Sequence, residues 1–113
     1  MKILDEPITK DELKKIAEKM FGNLVKGVVD IEKEIMAIDA ELHVDLAELL
    51  VSNGSTNKNL WGINIYPDET GENWLEFDSM INLKPQFNNR TRGVEDPVIR
   101  ERITVIVKKF IIQ

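Results

Sequence analysis

Hydrophobic positions along the chain change period several times, and each change marks an element. Leu13, Ile16, Ala17 and Met20 recur at helical spacing with Lys and Glu between them, which predicts a helix covering a core with one stripe. Its start is spelled out by Ile8-Thr9-Lys10-Asp11-Glu12-Leu13: Thr9 caps, Glu12 completes the capping box, and Ile8 with Leu13 forms the hydrophobic staple. Gly22 suits its end. Residues 24–32 and 35–43 are rich in β-branched residues and are separated by Lys33-Glu34, which predicts a hairpin. That pair is poor chemistry for a two-residue turn, so a longer loop is equally compatible. Val44-Asp45-Leu46-Ala47-Glu48-Leu49 repeats the helix-start grammar, with Asp45 as cap, Glu48 closing the box and Val44 against Leu49. This short helix runs to about Ser52, and Asn53-Gly54 stops it.

Residues 60–66 and 74–84 read as a second strand pair across the turn-rich segment 67–73,. Asp96-Pro97 then opens a last helix, with Ile99, Ile103, Ile106, Val107 and Phe110 as its stripe,. The β-branched run Ile103 to Val107 would also suit a strand, but cap and spacing together favour the helix. The expected class is α+β, in the order α-β-β-α-β-β-α. The expected architecture is a four-stranded, mainly antiparallel sheet with helices packed on one face, in a single domain spanning 1–113.

Alternation within the strands sorts their side chains into two faces. The core face takes Val25, Val29, Ile31, Met36, Ile38 and Leu42, then Trp61, Ile63, Ile65, Leu75, Phe77, Ile81 and Leu83. The other face takes Lys26, Asp30, Asp39, Glu41, His43, Asn64, Tyr66, Glu76, Asp78 and Asn82. A sheet covered on one side needs a wet outer face, so a solvated surface is the plain reading. Asp78 and Asn82 are nevertheless poor strand residues, with Asn64 expected nearby. Such conflicts with propensity are expected where function chooses the residue. Glu41 and His43, two apart in an extended segment, would point to one side and could share a metal or pass a proton.

Composition narrows the chemistry. With Lys+Arg 15 against Asp+Glu 20 and a net charge of -5, phosphate-backbone binding is disfavoured and no nucleic-acid partner is expected. The chain has no cysteine, which removes disulfides, thiolate nucleophiles and Cys-based zinc sites and suits a cytoplasmic location. Acids follow Met1-Lys2-Ile3-Leu4 where a signal peptide needs its apolar stretch, and the apolar tail from Ile103 to Ile112 is short and charged, so no membrane partner is expected. There is no nucleophile elbow, phosphate loop or nucleotide fingerprint, hence no expected cofactor. Gly27 and Gly62 mark bulges or close approaches in strands.

Glu41, His43 and Asp78 could hold a hard cation such as magnesium or manganese, since a single His does not make a usual zinc site. Asn88 to Arg92 is a second candidate, a loop that could bring Arg90 and Arg92 to an anionic group near the last helix. Trp74 falls on the polar face, as an interface anchor or as a cap over the turn.

Val29-Asp30-Ile31-Glu32, Glu41-Leu42-His43-Val44-Asp45, Leu60-Trp61-Gly62-Ile63-Asn64-Ile65-Tyr66-Pro67, Glu76-Phe77-Asp78-Ser79-Met80-Ile81-Asn82 and Asn89-Arg90 together resemble a small prokaryotic family known only as a domain of unknown function, DUF5674. The blocks from Leu60 and from Glu76 carry most of that resemblance, which spans nearly the whole chain. It implies a stand-alone prokaryotic domain and brings no activity and no catalytic residue. The family pattern has glycine near positions 39 and 40, and Asp39-Ala40 departs from it, which counts against a role for Asp39.

The leading expectation is a ligand- or protein-binding module, a small homo-oligomer, using the acidic sheet face. Its binding candidates are Glu41, His43, Asn64, Tyr66, Glu76, Asp78, Asn82, Arg90 and Arg92. The alternative is a metal-dependent, hydrolase-like enzyme built on Glu41, His43 and Asp78, and a third reading is a purely structural subunit.

Overall fold

A computed structural model describes residues 1–112. Its elements follow as β1 (Lys2–Ile3), β2 (Ile8–Thr9), α1 (Lys10–Glu18), β3 (Val25–Asp30), β4 (Ile35–Ile38), α2 (His43–Ser52), β5 (Leu60–Ile65), β6 (Leu75–Glu76), α3 (Pro97–Phe110) and β7 (Ile111–Ile112). Five strands form one antiparallel sheet in the order β1-β4-β3-β5-β6. β2 and β7 pair in parallel beside it. The α+β class stands, but the sheet has five strands rather than four. The added strand, β1, is two residues long, too short to display a period. No helix among the described residues is long and apolar enough to cross a membrane.

The helices lie on both faces of the sheet, not on one. α1 and α3 cover the face that carries Val25, Val29, Met36, Ile38, Trp61, Ile63 and Ile65, and their Leu13, Ala17, Ile103, Ile106, Val107 and Phe110 join that core. α2 covers part of the opposite face, where Leu46, Ala47 and Leu50 pack on Val28, Ala37 and Leu60. The clue was present: Val28-Val29 and the unbroken apolar run Ile35-Met36-Ala37-Ile38 signal burial on two sides. Only part of the second face is covered, so the alternation elsewhere read as a wet face.

Two helix starts form as their caps dictate. Thr9 Oγ1 accepts from the Glu12 amide at 3.1 Å, and an Asp96 carboxylate oxygen accepts from the Val98 amide at 2.8 Å with Pro97 in the first turn. The run Ile103 to Val107 is helical. α1 ends at Glu18, and Met20 is exposed instead of lying on its stripe. α2 starts at His43 rather than after Asp45, and Leu42 at its cap position makes no side-chain capping bond. The His43 ring ties the helix start to β5 through a bond to the Ile63 carbonyl at 2.8 Å, so tertiary contact replaces the local cap.

The first hairpin takes the longer loop. Asp30 is fully buried at its base, where Oδ1 accepts from the Glu32 and Lys33 amides, each at 2.9 Å, and Oδ2 accepts from the Ser55 hydroxyl at 2.6 Å. Asp30 is therefore a turn anchor and not part of an open face. The second strand pair is shorter than expected, because the chain leaves the sheet after Glu76. Ser79 Oγ accepts from the Ile81 amide and caps a 3-10 turn over Met80–Asn82, local bonding that competes with a ladder. Leu42 and Leu83, expected in the core, are exposed, and Trp74, expected on the polar face, is buried in the first core. Ile81 packs against the α2-side core.

Candidate functional site

The register lines up a polar row on the part of the second face that α2 leaves open. Lys26 on β3 lies opposite Asn64 on β5, and Asn64 lies opposite Glu76 on β6. Side chains directly opposite one another on one face interact. Asn64 Nδ2 donates to Glu76 Oε1 at 2.9 Å and to the Asp78 carbonyl at 3.3 Å, and the Tyr66 hydroxyl donates to the same Glu76 oxygen at 3.0 Å. Arg92 Nε donates to Asp78 Oδ1 at 2.8 Å across an exposed ion pair, which orients the two side chains and adds little stability.

These groups border a cavity of about 400 Å³ whose wall also includes His43 and Ser79, with Leu42, Val44 and Met80 at its apolar side. Of the candidates read from sequence, His43, Asn64, Tyr66, Glu76, Asp78 and Arg92 converge here. Lys26 and Ser79 complete the wall. Alternation puts Lys26 on this face without marking it as a binding residue, and Ser79 is hidden because the sequence over 74–84 reads as one strand,.

Gly62 lets the walls close up. A Cβ at this position would lie 2.5 Å from both Cβ and Oγ of Ser79 and 3.2 Å from Cδ2 of His43. The expected close approach at this glycine is real, and it brings the 78–82 segment and the start of α2 onto β5.

His43 is 9% exposed. A carbonyl can only accept, so Nε2 carries the proton in its bond to Ile63 and the neutral ring keeps its lone pair on Nδ1,. Burial holds the imidazole below its ordinary 6.5, with the Lys26 charge acting the same way. The Ile63 bond, the Asn64 side chain and the Asp78 charge oppose these effects without cancelling them. Between the lowered folded value and 6.5, the unfolded chain holds the extra proton, so stability rises with pH across that window and is lost on acidification. His43→Gln should flatten this dependence in urea midpoints measured from about pH 5 to about pH 8. Equal pH slopes in the two proteins would contradict it. Tyr66 is pushed above 10.0, first by burial, then by its bond to Glu76 and the charges of Glu76 and Asp78, so its hydroxyl stays a donor at neutral pH.

Two buried side-chain polar atoms, Trp61 Nε1 and Asn64 Oδ1, find no hydrogen-bond partner among the described residues, and of these two residues only Asn64 lines the cavity. An orphaned acceptor of this kind costs about 1–3 kcal/mol unless something donates to it.

The other candidates go elsewhere. Glu41 is exposed in the loop before α2 and does not line the cavity. His43 belongs to a helix, so the two-apart strand geometry of Glu41 and His43 is absent. Among the described residues no three His, Asp or Glu side chains come together to hold a metal, and the trio Glu41, His43 and Asp78 does not assemble. Asn82 is fully buried and bonded to backbone. Arg90 is exposed away from the cavity, its amide bonded to the Glu95 carboxylate. Asp39 has φ 75, a left-handed conformation that glycine adopts most readily.

The fold and site define a small α+β domain with helices on both faces of an antiparallel sheet and a polar cavity beside the exposed end of that sheet. The family model described as Protein of unknown function (DUF5674) matches residues 2–110, and the chain belongs to that family. No curated protein and no solved structure matches it.

Proposed function

We propose that the domain is a binding module whose cavity between β5, β6 and the start of α2 takes a small polar molecule with at least one N–H or O–H donor. The observation that carries this reading is the unpartnered, buried Oδ1 of Asn64, a residue that lines a cavity gathering cations and carboxylates. A bound donor would satisfy that oxygen, while Lys26, Arg92, Glu76 and Asp78 in the lining offer charge of both signs to a ligand,. The cavity volume of about 400 Å³ falls within the range of about 300–1,000 Å³ usual for small-molecule sites.

The test is an amide-resolved NMR titration of the full chain with glycine, acetamide, acetate and sulfate. Glycine or acetamide, which carry donors, should give saturable shifts at Asn64, Glu76 and Ser79, and Asn64→Leu should abolish them. If only the anions shift those amides, or if none of the four probes does, the reading fails.

A further inference from the structure

We propose a second, independent site: the groove between α2 and residues 81–87 binds a carboxylic acid with an apolar body, its carboxylate meeting the ammonium of Lys84. The groove encloses about 570 Å³, with Ala47 and Val51 of α2 on one wall, Leu83 and Phe87 on the other, and Leu60 and Ile81 between them. Val51, Leu83 and Phe87 are exposed there, large apolar side chains of a kind that a folded chain ordinarily keeps from water when they sit together.

What specifies the occupant is Lys84. It lines the groove and is only 7% exposed, a burial that lysine almost never reaches unless paired. Its Nζ donates to the Ile81 carbonyl at 2.9 Å and the Asn57 carbonyl at 3.2 Å and lies 5.0 Å from the centre of the Trp61 ring. Those partners use two of the three donors of an ammonium and neutralise none of its charge. The ion pairs among the described residues do not include Lys84. Burial accordingly pushes its ammonium below the ordinary 10.5, with no carboxylate to offset it. A lysine needed only to strap two carbonyls would serve equally well beside any ligand. A buried cation in an apolar wall selects an anion, and the apolar groove selects what the anion must be attached to. Lys58 adds a second positive charge to the lining, against the single acid Glu48.

Full-length protein titrated with octanoate should show saturable NMR shifts at Ala47, Val51, Leu83 and Phe87. The uncharged analogue octanamide should bind about tenfold or more weakly, the usual scale of a charge-assisted bond. Lys84→Met, with folding verified by its own spectrum, should remove the preference for octanoate. If that variant does not fold, Val51→Glu supplies the test, because the position is 40% exposed and the new carboxylate would repel octanoate while Lys84 stays in place. Equal affinities for octanoate and octanamide in the wild type would overturn the proposal, as would the absence of saturable shifts in the groove or unaltered octanoate binding by Val51→Glu. The reporting amides differ from those of the polar cavity, so either site can fail without the other.

Discussion

Asn82→Ala should destabilise the fold by about 3 kcal/mol, because its amide does the work of a missing strand for β5. β6 pairs only with Asn64 and Ile65, and beyond that point the outer edge of β5 meets a side chain instead of a ladder. Asn82 Oδ1 accepts from the Gly62 amide at 2.7 Å, and Nδ2 donates to the Gly62 carbonyl at 3.0 Å and the Arg92 carbonyl at 2.9 Å. Truncation leaves the buried Gly62 amide and carbonyl without partners, each at a cost of about 1 kcal/mol or more, and strips one of the two donors from the Arg92 carbonyl, which keeps the Ser79 amide. In a domain of this size the melting temperature should fall by on the order of ten degrees. Asn82→Asp should not rescue it, since a carboxylate keeps the acceptor, loses both donor bonds and buries a charge. A loss below about 1 kcal/mol for Asn82→Ala would mean that water or a local shift re-satisfies the edge, and the strand-substitute role would be abandoned.

Gly62→Ala should cost about 2 kcal/mol through collision, in the range of overpacked cores. The added methyl would sit 2.5 Å from Ser79 Cβ and Oγ, and Ser79 cannot simply yield. Its amide is bonded to the Arg92 carbonyl at 2.9 Å and its hydroxyl caps the turn that carries Asn82. The damage should therefore spread to the wall of the polar cavity. A double-mutant cycle separates this from a general strand effect. Ser79→Gly removes the colliding atoms, so Gly62→Ala combined with Ser79→Gly should be less destabilised than the sum of the single changes, with a coupling of about 1 kcal/mol or more. Strict additivity in urea unfolding would show that the methyl is accommodated without displacing Ser79.

Both predictions concern one construction. Asn82 and Asn89 are amides used as backbone: Asn89 Nδ2 donates to the Asn82 carbonyl at 2.7 Å and the Gly93 carbonyl at 2.8 Å, and its Oδ1 accepts from the Glu95 amide at 2.8 Å. This buried network holds the irregular segment from Phe77 to Val94 in place. That segment supplies Asp78, Ser79 and Arg92 to the polar cavity and Leu83, Lys84 and Phe87 to the apolar groove. The propensity conflict at Asn82 was a true signal, but its cause is structural: the asparagine replaces a strand and does not face a ligand.

Where structure depends on neighbours along the chain, the sequence alone determined it. The cap at Thr9, the Asp96-Pro97 start, the helical stripe from Ile103 to Phe110 and the alternation in β5 are fixed by bonds and periods reaching only a few residues, and each forms where its residues dictate. Convergence of His43, Asn64, Tyr66 and Glu76 on one surface was partly legible, since alternation put the strand residues among them on one face. Tertiary structure decided the rest. α2 lies on the second face because Val28, Ala37 and Leu60 form an apolar patch only when three strands are laid side by side. His43 becomes a helix residue because its ring finds the Ile63 carbonyl twenty positions away. Lys84 is buried because the 80–87 segment folds back over Trp61 and Asn57. Those contacts join positions far apart in sequence, and no local period encodes which distant partner a side chain will meet.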